Sequence, residues 1–146
     1  MALTRNGQYC YGDSQEDTRA ELAAYACSIG YPATHFADAV CTCGHRQFRL
    51  FLDDNDGAAV RECAACMERH PIADSAEYLD EAALEECECP CGSAVFEVTV
   101  GIALYDARED VRWIYIGCRC PGCRLTACYG DWKNEFEDYR KLLANV

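Results

Sequence analysis

The chain has 146 residues, thirteen of them cysteine, and a formal net charge of −12. No run of about 18 apolar residues occurs, so no membrane-spanning helix is predicted. The acidic balance also argues against binding dominated by phosphate neutralisation.

The polar stretch from Met1 to Tyr11 has no basic start followed by an apolar segment, so no secretory signal is expected and a cytoplasmic location is. In a reducing compartment, cysteines at this density read as metal ligands before they read as disulfides. The first predicted element is a helix. Asp13 and Ser14 resemble its start, with Asp17 in a capping-box-like position three residues after Ser14. It runs to about Ser28 and stops near Gly30, with Pro32 beyond. Leu22, Tyr25, Ala26 and Ile29 share one side.

Cys41-Thr42-Cys43-Gly44 follows, then a predicted strand from Phe48 to Leu52 and a turn at Asp53-Asp54-Asn55-Asp56-Gly57. A calcium loop fails there, because a glycine at its sixth position puts Leu52, which cannot ligate, at its first. Cys63 and Cys66 close the segment. Glu77 to Cys87 is predicted as an acidic connecting helix. Cys89-Pro90-Cys91-Gly92 begins a second segment with strands at Val95–Tyr105 and Val111–Gly117, joined by a polar turn from Asp106 to Asp110. Cys120 and Cys123 end it. The tail from Trp132 to Leu143 carries Trp132, Phe136, Tyr139 and Leu143 at helical spacing, with Lys133–Glu137 and Glu137–Lys141 at i,i+4.

The two cysteine-bearing segments align. In each, C-x-C-G is followed five residues after its second cysteine by a phenylalanine, Phe48 or Phe96. A C-x-x-C pair comes next, then an aspartate eight residues on, Asp74 or Asp131. The gap between pairs is 20 residues from Cys43 to Cys63 and 29 from Cys91 to Cys120, which fits a longer hairpin in the second copy. Matching order in two places argues for internal duplication. Two cysteines one or two residues apart can turn both sulfurs to one point, and a second pair returned by a hairpin completes a tetrahedron with Zn–S of about 2.3 Å. The expected metal ligands are Cys41, Cys43, Cys63 and Cys66 for one zinc ion and Cys89, Cys91, Cys120 and Cys123 for a second. Cys87 and Cys118 remain alternatives in the second set, which the repeat alignment does not select; they are otherwise expected near each other on facing strands. Cys10, Cys27 and Cys128 are expected to be small core residues. His45 and His70 flank the first set.

Each copy resembles a zinc ribbon of the rubredoxin-like kind, over roughly residues 40–72 and 87–130. The usual knuckle reads C-x-x-C-G. Here the C-terminal pairs are followed by Met67 and Arg124, while the N-terminal pairs keep the glycine and shorten the gap. The expected fold class is α+β, two tandem zinc ribbons joined and flanked by helices. Its segments are 1–39 (helical), 40–74 (first ribbon), 75–88 (connecting helix), 89–130 (second ribbon) and 131–146 (C-terminal helix).

Closed tetrathiolate sites leave no open coordination position, so no enzymatic turnover is expected. The zinc-deaminase pattern is absent, since none of His35, His45 or His70 is followed by x-Glu. A redox role for the C-x-x-C pairs, or iron in the same ligands, is a chemical alternative. Arg108, Arg112, Arg119 and Arg124, with Trp113 and Tyr115, offer a nucleic-acid surface, against which the net charge stands. The expected partner is a basic protein, drawn to an acidic scaffold by steering, in the manner of an immunity or accessory protein. Glu77, Asp80, Glu81, Glu85 and Glu86 are the expected contact residues.

Overall fold

The computed structural model describes residues 3–53, 55, 57–105, 110–134 and 138–146. It is α+β, with two antiparallel sheets and two helices among these residues. The elements in chain order are β1 (Thr4–Asn6), β2 (Tyr9–Tyr11), α1 (Gln15–Ile29), β3 (His35–Asp38), β4 (Phe48–Asp53), β5 (Ala58–Cys63) and β6 (Arg69–Pro71). A single 3-10 turn at Ser75–Glu77 follows, then β7 (Glu85–Glu86), β8 (Glu97–Leu104), β9 (Val111–Arg119), β10 (Leu125–Lys133) and α2 (Tyr139–Leu143). The larger sheet has the order β1-β2-β10-β9-β8-β3, and the smaller β6-β5-β4-β7.

The layers follow from strand alternation. Val98, Val100 and Ile102 of β8 and Ile114, Ile116 and Cys118 of β9 point from the larger sheet into a core shared with Phe48, Leu50, Ala59 and Cys63 of the smaller sheet. The intervening residues Ala103 and Tyr115 face the other way and meet Leu22 and Ala26 of α1. Gly117 lies under α1, and a Cβ there would fall 2.8 Å from Thr18 Cγ2 and 2.9 Å from Leu22 Cδ1, so a side chain would lift the helix off the sheet.

Helix α1 starts after Ser14 and ends at Gly30. Its cap is displaced by one residue from the expected box: Asp17 Oδ2 accepts from the Asp13 N–H at 2.7 Å, and Ser14 makes no side-chain cap bond. Of the four residues expected to share one side, Leu22 and Ala26 are buried, while Tyr25 and Ile29 are exposed.

Two predicted helices are corrected. Residues 75–88 form the 3-10 turn and then the extended β7. Glu85 and Glu86 pair with Leu52 and Phe51, filling the edge of β4 that β5 leaves open. A helix there would have set like charges at i,i+4 with few apolar residues to anchor it. In the C-terminal segment, Trp132 and Lys133 end strand β10, and among the described residues helix is confined to α2. Trp132 is buried between the sheets, its indole N–H donating to Asp74 Oδ1 at 3.1 Å, a partner the sequence alone could not supply. Helix α2 is capped by Asp138, whose Oδ1 accepts from the Arg140 N–H at 2.8 Å. Phe136 and Glu137 of the predicted helix, Asp54 and Asp56 of the first turn, and residues 106–109 of the second lie outside the described residues.

The repeat is written into the strand registers. A shift of 48 residues carries Cys41 to Cys89 and Phe48 to Phe96; a shift of 57 carries Cys63 to Cys120. Arg49 pairs with Glu62, and their equivalents Glu97 and Arg119 pair likewise. Glu62 pairs with Arg69, and Arg119 with Thr126. Both copies are therefore three-stranded, β4-β5-β6 and β8-β9-β10. The strand leading into each copy pairs with the other one. Asp38 of β3 lies opposite Thr99 of β8, and the equivalent Glu86 of β7 lies opposite Phe51 of β4. Ala39 N–H donates to Val98 O at 2.9 Å, and Cys87 N–H to Leu50 O at 2.8 Å, again equivalent pairs. Phe48 and Phe96 exchange both backbone bonds, at 2.8 and 2.7 Å. An antiparallel bridge between equivalent residues is what a two-fold axis through it produces.

Candidate metal centres

Each centre is assembled from two knuckles. In the first knuckle of each copy, the Cys41 N–H donates to His45 O and the Gly44 N–H to Cys41 O, at 2.9 and 2.8 Å. Cys89, Ser93 and Gly92 repeat this at 2.8 Å for both bonds. Gly44 and Gly92 hold φ of 91° and 98°, where a Cβ would be strained. In the second knuckle, Cys63 N–H donates to Glu68 O and Met67 N–H to Cys63 O, at 2.9 and 3.0 Å; Cys120, Leu125 and Arg124 match them at 2.9 and 2.8 Å. Met67 and Arg124 occupy the usual glycine position of the knuckle and adopt its left-handed conformation, with φ of 66° and 71°. The missing glycine thus changes the residue and leaves the turn intact.

These turns bring Cys41, Cys43, Cys63 and Cys66 together, and Cys89, Cys91, Cys120 and Cys123 likewise; within each set all four sulfurs lie within 4.8 Å of one another. Cys41–Cys66 and Cys43–Cys63 are 3.5 and 3.6 Å apart, Cys89–Cys123 and Cys91–Cys120 3.5 and 3.7 Å. A tetrahedron with Zn–S of about 2.3 Å has sulfur–sulfur edges of about 3.8 Å, so a four-coordinate ion fits both sets. Zinc in such a set would supply cross-linking and no open coordination position. Cys43, Cys66 and Cys91 are exposed, while Cys41, Cys63, Cys89 and Cys120 are buried.

Backbone dipoles prepare particular thiolates. The N–H groups of Cys66 and Ala65 point at Cys63 Sγ, each at 3.4 Å, and bring Cys63 down to about 6. At Cys120 burial opposes ionisation, but backbone donors from Cys123 and Gly122 outweigh it and lower the thiol to about 7. Cys66 rises to about 12: a donor from Glu68 favours its thiolate but is outweighed by the neighbouring Cys41 sulfur and burial. Burial is the main reason Cys89 also rises to about 12.

The surroundings differ. Arg61, only 6% exposed, sits beside Cys41 and Cys63; its Nε donates to Val146 O at 3.0 Å and its guanidinium lies 4.7 Å over the Phe48 ring. Burial lowers its pKa while the two sulfurs favour its charge. The equivalent residue in the second copy is Cys118, fully buried, its thiol pushed well up by burial and by Cys87 and Cys128 nearby. Cys118 of β9 and Cys87, the residue after β7, thus lie close together. Tyr129 lies beside the same sulfurs, and burial raises its pKa. Arg61 escaped the sequence reading because a lone arginine in Ala58-Ala59-Val60-Arg61 looks like an outward residue of an alternating strand. Its buried setting depends on the C-terminal tail that covers it.

Of the other candidates, Cys10 is buried, Cys128 half-buried and Cys27 exposed, so Cys27 is not the core residue expected. It occupies α1 on the side away from Leu22 and Ala26. His70 Nε2 lies 3.1 Å from Asn145 O. Glu77, Asp80, Glu81, Glu85 and Glu86 are all exposed. They do not form one helical face. Glu85, Glu86 and Glu88 line a cleft of ≈ 510 Å³ with Asp53 and Tyr129, whereas Glu77 lines a separate groove with Lys141 and Leu142.

The arginine set is dispersed. Arg119 is buried, bonding Gly12 O and Glu97 at 2.8 and 2.9 Å, and Arg124 pairs with Asp13. Arg112 packs over the rings of Tyr31 and Tyr105. Trp113 stacks on Tyr31 and donates to Asp131, and Tyr115 is buried beneath α1. Arg108 lies outside the described residues. Among the described residues no helix is long and apolar enough to cross a membrane. No family model, curated protein or solved structure matches the chain.

Proposed function

We propose that the chain is a non-enzymatic zinc-binding protein in which two closed tetrathiolate centres hold an acidic surface rigid for a basic protein partner, as an immunity or accessory protein would. The observation that carries this reading is the completeness of both sets. Four cysteines converge at each, at spacings that a tetrahedral ion fills without a place for water or substrate. The partner surface is the cleft bordered by Asp53, Glu85, Glu86 and Glu88, with the exposed Glu81 four residues before Glu85 in the chain. Rigid acidic walls favour a lysine- or arginine-bearing segment by steering and keep the ordering cost of association low. Nucleic acid is the weaker partner, because Arg119 and Arg124 spend their charge on Glu97 and Asp13.

Elemental analysis of protein purified without added metal is expected to give two zinc ions per chain, and iron would instead show as visible thiolate absorption. A value of one, or water on either metal, would end the closed-centre reading. For the surface, affinity capture should recover a basic protein whose association slows as salt rises. Glu81→Lys with Glu85→Lys should weaken that capture at unchanged zinc content. Equal capture at low salt would move the contact elsewhere.

A further inference from the structure

Each centre joins the two sheets. Cys41 and Cys43 follow β3, an edge strand of the larger sheet, while Cys63 and Cys66 come from the β5–β6 turn of the smaller sheet. Cys89 and Cys91 follow β7 of the smaller sheet, while Cys120 and Cys123 come from the β9–β10 turn of the larger. So either centre takes two ligands from each sheet, and the strand that aims its first knuckle is paired into the other copy. The core between the sheets includes Cys41, Cys63, Cys89 and Cys120 themselves, with Phe48 and Phe96 at the crossing point.

We infer that the two metal centres are one thermodynamic unit: the strand exchange makes each ion organise the ligands of the other, so zinc loads and leaves as a pair. This rests on the reading of both cysteine sets as zinc sites. Binding at the first centre fixes the Cys41 knuckle and with it β3 against β8, the strand that begins just after the Cys91 knuckle. It also fixes β4, which among the described residues is the one strand paired with β7 and therefore sets the direction from which Cys89 arrives. The ordering that the second ion would otherwise have to bring about is already present, and the same argument runs in reverse, as linkage requires. Two ribbons strung on a linker would have no such exchange and would fill independently.

The chain offers a direct readout. Zinc-free protein is titrated with zinc sulfate, and loaded protein is stripped with graded EDTA, both followed by native mass spectrometry. Two equal, independent centres would place about half of the molecules in the one-zinc form at half saturation. A coupling of about 100-fold, within the range usual for linked sites, holds that form near one tenth. A one-zinc population of half or more in either direction overturns the inference while leaving both centres as zinc sites. No zinc uptake and no zinc in the purified protein overturns the underlying reading as well. Cys91→Ser tests the path, because it opens only the second centre. Hydrogen exchange across Phe48–Asp53 and Ala58–Cys63 should then quicken at least tenfold, and zinc at the first centre should become removable at lower EDTA. Unchanged exchange and retention there would show that the strands do not couple the centres.

Discussion

The two centres share a backbone and differ in almost everything placed around it. Their knuckles repeat the same four hydrogen bonds, and even the paired charges flanking them are preserved in exchanged order. Arg49 faces Glu62 in the first copy at 4.0 Å, and Glu97 faces Arg119 in the second at 2.9 Å. Behind the first centre lies the buried Arg61; behind the second lie Cys118, Cys87 and Tyr129. The knuckle tips also differ: Val40 and Met67 are exposed apolar residues, where the second copy has Glu88 and Arg124. A tetrathiolate centre needs N–H groups and sulfurs in fixed places, which backbone conformation supplies. The neighbouring side chains were free to diverge, and they set charge and accessibility.

The most severe way to break the comparison is to remove the metal. Structural zinc contributes of order 10 kcal/mol in small domains. Exhaustive chelation should therefore abolish the cooperative thermal transition, and readdition of zinc should restore it. A transition shifted by only a few degrees would mean that the shared core suffices without the ions.

Next come the two phenylalanines on the two-fold axis. Phe48→Ala and Phe96→Ala each remove a fully buried ring and should cost about 4 kcal/mol in denaturant unfolding. Because each ring packs at the junction of both copies, the double variant should lose less than the sum of the two. Strict additivity would indicate two separate cores.

Arg61→Met tests the difference between the centres directly. Loss of a buried charged donor should destabilise by about 2 kcal/mol. Without its charge the first tetrathiolate returns to a net of −2, and alkylation of Cys43 and Cys66 by iodoacetamide should quicken when mapped by peptide mass. Cys118→Val, at the equivalent position, should leave the alkylation of Cys91 nearly unchanged. Equal responses would show that Arg61 acts by packing alone.

The smallest effect concerns the knuckle turns. Met67→Gly and Arg124→Gly relieve left-handed side-chain residues and should stabilise slightly, by up to about 1 kcal/mol, whereas Gly44→Ala and Gly92→Ala should cost about 1–2 kcal/mol. Thermal melts of the four variants at fixed zinc would check the sign. Destabilisation by both glycine substitutions would mean that the Met67 and Arg124 side chains contribute contacts exceeding the strain.

The cysteine sets were legible in the sequence because each knuckle is local. Cys41 to Gly44 and Cys63 to Met67 close their turns within five residues, and the same order recurs in Cys89 to Gly92 and Cys120 to Arg124. Helix α1 was legible for a similar reason, with Ser14 and Gly30 marking its ends. The segment from Glu77 to Cys87 reads as a helix because its helical spacing of apolar residues is local, whereas the open edge of β4 that pairs with Glu85 and Glu86 lies some thirty residues back in the chain. Trp132 failed likewise, since its spacing with Tyr139 and Leu143 suggested a helix and its indole partner, Asp74, belongs to the other copy.

By itself, then, the sequence determined the two cysteine sets, the duplication and the turn chemistry, all of which depend on contacts within a few residues or on a matching order of residues. Only the tertiary structure decided that the copies exchange their leading strands, that Arg61 lies behind one centre, and that Glu85 and Glu86 line a cleft while Glu77 lines a separate groove. Those features depend on which sheet edge is open and which buried position a distant segment covers. Such non-local contacts leave no periodic trace along the chain, because the backbone bonds that satisfy an open edge accept almost any residue able to adopt an extended conformation.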